Sequence, residues 1–259
     1  MIIKNAIKNQ SYKINFNIDL KKYLNNLIKK YYKVAIITDE NVYKIYKEKI
    51  NIKGLDILRV KPGEKSKSFN VKNSLDEKLL EKKFNRNSLI IGFGGGVVGD
   101  LSGYVAATIL RGIDLVHIPT SLIAIVDSSI GGKTGINSKN GKNLIGSFYN
   151  PREILINSEF IKTLSLKEIR QGLSEIIKYG VIKNEKIFNF LEKSNKVFMQ
   201  NHKKNIDKII KECIKIKIDT VEKDFKENDL RSILNFGHTI GHALEKKYSY
   251  KFSHGDCIG

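Results

Sequence analysis

The run Leu89-Ile-Ile-Gly-Phe-Gly-Gly-Gly-Val-Val-Gly99 narrows the choice of fold more than any other stretch of the chain. A short apolar segment enters Gly94-Gly95-Gly96 directly, and small and apolar residues then continue over 97–110 with the character of a helix. Strand, glycine turn, helix is an arrangement that receives phosphate: glycine lets a ligand approach the backbone, and free N–H groups at a helix start attract an anion. Gly94, Gly96 and Gly99 satisfy G-x-G-x-x-G. The acidic residue that closes the next strand in a standard dinucleotide unit is not where it should be, because Asp114 opens the segment 114–118. A dinucleotide fits this stretch, whereas a standard first Rossmann unit does not. A turn that serves only helix–strand packing would carry the same glycines.

The segments before it alternate. Residues 19–31 have a helical pattern, 33–38 read as a strand, 40–49 as a helix and 55–60 as a strand. Such alternation specifies a parallel sheet with crossover helices, and ligands bind such sheets at the carboxyl ends of the strands. Asp39 directly follows its strand, and Glu64 lies in the turn Lys61-Pro-Gly-Glu-Lys-Ser-Lys67. A helix cap is an equal reading of Asp39.

After a last strand over 153–156 the pattern changes. Ser165 followed by Glu168 is a capping box opening a helix to about residue 182, and further helices are expected over 185–193, 201–222 and 229–247. The expected fold class is therefore α/β: an N-terminal nucleotide-binding domain with a parallel sheet, residues 1–164, followed by an all-helical domain, residues 165–259.

A chain of 259 residues buries a substantial core without staples. Cys213 and Cys257 are too few for a disulfide framework and lack metal-ligand spacing, which points to a reducing compartment. No apolar run approaches the roughly 20 residues that span a bilayer. The opening MIIKNAIKNQ has no secretion signal, so a cytoplasmic enzyme is expected. The formal net charge of +19 raises the question of nucleic acid, but the lysines are dispersed from Lys4 to Lys251 beside Asn and Ile and form no single patch. Neither a nucleic-acid nor a membrane partner is expected, and the basic surface would steer an anionic substrate.

Two constellations carry chemistry. Between Asp127 and Asn143 the chain places Asp127, Ser128, Ser129, Gly131, Gly132, Lys133, Thr134, Lys142 and Asn143 with almost no apolar periodicity. Lysine beside paired glycine and hydroxyls suits a phosphate or polyhydroxylated ligand, and the same content permits a solvated hairpin. In the helical half, Glu175 and Lys178 lie one turn apart. Arg231, Asn235, His238 and His242 repeat at four, three and four residues and are expected to form one polar stripe, with His254 shortly after. Clustered histidines suggest a metal, for which His238 and His242 are the pair that spacing favours. Gly237 and Gly241 cost about 1 kcal/mol each inside a helix, which suggests close approach of a ligand or another helix.

The runs GFGGGVVGDLSGYVAATILRGI, IPTSLIAIVDSSIGGKTGIN and GKNLIGSFYNP resemble those of the 3-dehydroquinate synthases, and the likeness extends from about Asp39 to the last residue. The resemblance implies a divalent metal, Zn2+ or Co2+, held by Glu175 of the E-I-I-K-Y motif, His238 of N-F-G-H and His254 of H-G. His242 then becomes a substrate-side residue, together with Asp127, Lys133, Lys142, Asn143, Lys178, Lys217, Arg231 and Asn235. It implies an NAD site at Asp39, Glu64, Lys67, Gly95, Gly96, Val97, Val98, Gly99, Asp100, Thr120, Ser121, Phe160 and Thr163, with Lys133 and Lys142 adjoining. Arg111 matches an arginine that reaches into a neighbouring subunit's site, implying a homodimer.

The implied reaction takes 3-deoxy-D-arabino-heptulosonate 7-phosphate through oxidation by bound NAD, phosphate elimination, return of the hydride and aldol closure of a carbocycle. The resemblance places this chemistry in a cleft between the two domains. Arg231 with Asn235 favours this pattern over cyclases that make inosose or valiolone rings, and the two motif runs favour it over the metal-dependent polyol dehydrogenases. Asp256 stands where the family has glutamate. Family members continue past the position of Gly259, so the resemblance marks the helical domain as truncated.

Overall fold

The computed structural model describes residues 2–3, 11–193, 203–248 and 252–258. Most of the opening residues, read above for a secretion signal, lie outside this range, as do residues 201 and 202 of an expected helix. Two compact units result, one comprising residues 2–3, Ser11–Thr120 and Gly132–Asn157, the other Ser121–Gly131 and the described residues from Ser158 onward.

The first unit is a seven-stranded sheet. Its strands are β1 (Ile2–Ile3), β2 (Tyr12–Phe16), β3 (Val34–Asp39), β4 (Leu55–Val60), β5 (Leu89–Gly94), β6 (Asp114–Pro119) and, after a separate hairpin, β9 (Glu153–Ile156). The spatial order is β1-β2-β9-β6-β5-β3-β4, antiparallel only between β1 and β2. Every residue of β5 is buried, the mark of a central parallel strand covered on both faces. The crossovers are α2 (Glu40–Ile50) and α3 (Phe69–Glu81), with α1 (Leu20–Lys30) ahead of β3 and α4 (Gly96–Thr108) between β5 and β6. Leu20, Leu24 and Leu27 form the buried stripe of α1, and Asp19 caps it by accepting from Lys22 N at 2.9 Å.

The chain from β3 first moves outward to β4 and then crosses back to β5, so the direction of winding switches between β3 and β5. Loops leaving the carboxyl ends of those two strands, at Asp39 and Gly95, flank the place where open parallel sheets bind ligands.

Two expected elements differ. The helix read over 97–110 ends at Thr108, because Leu110 and Arg111 turn left-handed at φ 50° and 64°. The segment 127–143, read as a ligand loop or a hairpin, is a wide helical turn (Ala124–Ser128), a glycine turn and then the antiparallel hairpin of β7 (Lys133–Ser138) and β8 (Gly141–Phe148).

The second unit is helical in its described residues. A 3-10 turn (Ser158–Thr163) precedes α5 (Leu166–Ile182), whose capping box joins Ser165 and Glu168, and α6 (Glu185–Lys193) and α7 (Lys203–Lys223) follow. Both α5 and α7 pack on the wide turn at Ala124–Ser128. The continuous helix expected over 229–247 is broken. A 3-10 turn (Leu230–Asn235) ends at Phe236, Gly237 adopts φ 79°, and α8 (His238–Lys247) starts afresh. The stripe from Arg231 to His242 is therefore two segments meeting at a left-handed joint, a conformation glycine takes without steric cost. Gly241 packs against α9 (His254–Ile258): a Cβ there would lie 2.7 Å from Ile258 Cγ1. The close approach expected of this glycine is thus to another helix.

Candidate active site

On α5, Glu175, Lys178 and Tyr179 share a face because they are three and four residues apart. Lys178 Nζ donates to Glu175 Oε2. The other oxygen, Oε1, is buried and accepts no hydrogen bond. His238 Nε2 from α8 and His254 Nε2 from α9 each stand 3.5 Å from it. Ligand atoms about 2.1 Å from a tetrahedral ion lie about 3.4 Å apart, so these three are spaced to hold one. A buried carboxylate oxygen without a hydrogen-bond donor is also what a cation would satisfy. Among the described residues, His242, Glu245 and His254 form a second cluster of metal-ligating groups, which shares His254 with the first.

The electrostatics fit this grouping. Burial and the nearby Asp127 charge push Glu175 upward, but His254 and the Lys178 ammonium outweigh them and its pKa is lowered. Burial lowers His238. Burial also opposes the charge on His254, yet the Glu175 and Glu245 carboxylates leave it raised.

A second charge cluster adjoins the first. Asp127, on the wide turn, accepts through Oδ1 from Lys217 Nζ at 2.8 Å and from Tyr179 Oη, with Lys178 Nζ at 3.7 Å. Despite burial, Lys217 and Lys178 hold Asp127 far below the usual carboxylate range. Desolvation opposes the charge on Lys178, but Asp127 and Glu175 raise its pKa. Burial lowers that of Lys217, and Lys178 adds to the effect. Glu175, Lys178, Asp127 and Lys217 thus form a line of alternating charge. Of its two ammonium groups, that of Lys217 parts more readily with a proton.

Arg231 is 2% exposed. Its guanidinium donates to Phe225 O at 2.6 Å and to Gly131 O at 3.3 and 3.4 Å. Gly131 permits this, since a Cβ there would fall 2.6 Å from Arg231 Nη2. Asn235 is exposed and donates to Glu227 Oε1 at 2.7 Å, and His242 is exposed.

In the first unit Asp39 caps α2, accepting from Asn41 N at 2.8 Å and Val42 N at 3.0 Å. Gly95 is the N-cap of α4 and brings no side-chain hydrogen bond, so Gly96, Val97, Val98 and Gly99 form a first turn without that cap. Lys67 is 4% exposed and donates to Asp100 Oδ2 at 2.6 Å and to Asn143 Oδ1. Glu64 Oε1 accepts from Asn137 Nδ2 at 2.8 Å and lies 3.7 Å from Lys67 Nζ. Lys133 is exposed, Lys142 is half-buried, and buried Thr120 donates its N–H to Gly94 O at 2.9 Å. Ser121, Phe160 and Thr163 belong to the second unit, where Thr163 Oγ1 donates to Phe160 O at 2.9 Å. Arg111 is exposed on its left-handed turn.

Two participants escaped the sequence reading, Tyr179 and Glu245. Each had a signal: Tyr179 sits one turn beyond Glu175, and Glu245 two turns beyond His238.

The family model described as 3-dehydroquinate synthase N-terminal matches residues 57–171, and the one described as 3-dehydroquinate synthase C-terminal matches residues 172–259. The 3-dehydroquinate synthase of Dictyoglomus thermophilum is 47% identical over 254 residues, covering 97% of this chain and 72% of that protein. The chain belongs to the 3-dehydroquinate synthase family. The 3-dehydroquinate synthase of Clostridium acetobutylicum is 46% identical over 235 residues, 87% of this chain and 65% of its own length. A solved relative outside the synthases proper is 2-deoxy-scyllo-inosose synthase complexed with carbaglucose-6-phosphate, NAD+ and Co2+. It is 26% identical with a TM-score of 0.87, covering 100% of this chain and 73% of the other. The parallel sheet followed by helices is therefore the family's fold, as the motif runs implied. Among the described residues no helix is long and apolar enough to cross a membrane.

Proposed function

We propose that the chain converts 3-deoxy-D-arabino-heptulosonate 7-phosphate to 3-dehydroquinate and phosphate as an NAD- and metal-dependent lyase of aromatic biosynthesis. The observation that carries this reading is the convergence of His238 Nε2 and His254 Nε2 on the unpartnered Oε1 of Glu175, each at 3.5 Å. When bound, NAD takes up and returns a hydride, and a divalent cation on Glu175, His238 and His254 polarises the oxygen being oxidised.

The chain's own groups supply the rest. Lys178 neutralises the second oxygen of Glu175 and keeps that carboxylate oriented. Lys217, whose pKa burial lowers, moves a proton to and from the substrate through Nζ. Lys133, Lys142, Asn143 and Arg231 bring positive charge and amide donors to the carboxylate and phosphate. His242 and Asn235, both exposed, orient the ring hydroxyls. On the nucleotide side, Asp39 and Glu64 meet ribose hydroxyls, Lys67 fixes Asp100, and the turn at Gly95 and Gly96 receives the pyrophosphate. Thr120 adds to that site. We assign the nucleotide to residues 1–164, the metal to 165–259 and substrate contacts to residues of both, in a cytoplasmic homodimer in which Arg111 serves the neighbouring copy.

The test is phosphate release from 3-deoxy-D-arabino-heptulosonate 7-phosphate with NAD and zinc added. One phosphate per substrate, without net NADH, is expected. Zinc and NAD binding with no phosphate release, together with NADH accumulation from a polyol, would overturn the assignment in favour of a dehydrogenase.

A further inference from the structure

His254 is claimed from two sides. Its Nε2 stands 3.5 Å from Glu175 Oε1, and its Nδ1 stands 3.5 Å from Glu245 Oε1. The two nitrogens lie on opposite edges of one ring, so a neutral imidazole that offers a lone pair at one carries its proton at the other. If each uses the nitrogen that faces its carboxylate, the two candidate metal clusters, Glu175–His238–His254 and His242–Glu245–His254, need opposite tautomers of the same residue.

Three observations decide between them. Glu175 Oε1 is a buried carboxylate oxygen that accepts no hydrogen bond, while its sister oxygen is already matched by Lys178. His238, the third member of the first cluster, is partly buried, whereas His242, the third member of the second, is exposed. Glu245 is 5% exposed, and a buried carboxylate beside an imidazole N–H is the usual way in which a ligating histidine is held. Glu245 is also seven residues beyond His238 on α8, two turns along the same face, so one rigid helix carries both groups. Gly241 lies on α8 between them and lets α9, which bears His254, approach closely.

We infer that Glu245 is a positioning residue: by accepting the Nδ1 proton of His254 it fixes the tautomer that presents Nε2 beside Glu175 Oε1 and His238 Nε2. Glu245 is not itself a ligand. This rests on the metal assignment proposed above.

The experiment uses the 259-residue chain and its Glu245→Ala, Glu245→Asp and Glu175→Gln variants, with zinc affinity read by competition against a chelator. Glu175→Gln should lose tight binding, Glu245→Ala should bind about 10–100-fold more weakly, and Glu245→Asp should recover part of the loss. Loaded to saturation with Co2+, Glu245→Ala should keep the parent's visible absorption, because its ligands are unchanged. Nitrogen NMR of His254 in the metal-free chain, at a pH where the imidazole is neutral, gives a reading that needs no metal: the parent should hold the proton on Nδ1, and Glu245→Ala should lose that preference.

Parental zinc affinity in Glu245→Ala overturns the inference. So does a changed cobalt spectrum, or no cobalt binding at all, which would make Glu245 a ligand. If Glu175→Gln keeps parental zinc affinity, the metal assignment itself fails. An unaltered His254 tautomer in Glu245→Ala would then sink the positioning role separately.

Discussion

Lys217 Nζ donates to Asp127 Oδ1 at 2.8 Å across 90 residues of sequence, and joins the long helix α7 to the wide turn beneath it. Removing the cation leaves a largely buried carboxylate with Lys178 and Tyr179 as partners. Lys217→Met is therefore expected to destabilise by less than the roughly 3–5 kcal/mol of a wholly buried pair. Urea unfolding measures it, and Asp127→Asn added to Lys217→Met should restore part of the loss. Strict additivity of the two would contradict this coupling.

Gly241→Ala sets two effects against each other. Alanine gains about 1 kcal/mol of helix propensity over glycine. Its Cβ, however, would stand 2.7 Å from Ile258 Cγ1 and 3.1 Å from the Cys257 carbonyl oxygen, so α9 must move and carry His254 with it. Zinc affinity should fall at least about tenfold, at the low end for a disturbed supporting contact. A variant with parental affinity and higher stability would show that α9 does not need this approach.

Much of this was legible in the sequence, and the exceptions have physical reasons. Strands β3, β5, β6 and β9 announce themselves as apolar runs because a covered parallel sheet buries both faces; the edge strand β4 shows through its alternation with the helices around it. Strand β2, Tyr12-Lys-Ile-Asn-Phe16, alternates instead and was not read, although its burial alternates in step at Tyr12, Lys13 and Ile14. Helix α3 escaped because only Leu75 and Leu79 anchor it as buried residues among polar neighbours. The break at Gly237 looks like a continuous helix when only spacing is counted, since one left-handed residue does not disturb the count. In the site, Glu175, His238 and His254 show through the family motifs, whereas spacing alone pairs His238 with His242, because it cannot see α9 bring His254 beside α8. Tyr179 and Glu245 take their meaning from Asp127 and His254, partners that only the folded chain brings near.

His117, buried in β6, gives a pH dependence of known sign. Burial pushes it down from 6.5 to about 4. Above about pH 6.5 both folded and unfolded states hold neutral imidazole, and the group leaves stability unchanged. As pH falls from there toward 4 the unfolded chain takes up the proton and the folded chain does not. Stability is lost across that window, by up to about 3 kcal/mol at roughly 1.4 kcal/mol per pKa unit. His117→Met, which cannot titrate, should show a shallower fall in urea midpoint between pH 7 and pH 4.5; equal slopes would exclude the effect.

Lys67→Met tests the nucleotide side. Lys67 ties Asp100 to Asn143 from a buried position. Hydrogen bonds to charged groups contribute about 1.5–3 kcal/mol, so NADH affinity followed by fluorescence should drop about 10–100-fold. Unchanged affinity would place the dinucleotide elsewhere.

The left-handed residue Gly237 resets the helical phase between two short segments. Ahead of it, the six-residue turn Leu230–Asn235 presents Arg231 and Asn235; behind it, α8 presents His238, His242 and Glu245. Through a straight helix, a residue inserted ahead of His238 would rotate everything downstream by about 100°. Across the left-handed turn at Gly237 the two phases are set separately. The direction in which Arg231 and Asn235 point is thus not tied by helical phase to the direction of the histidines.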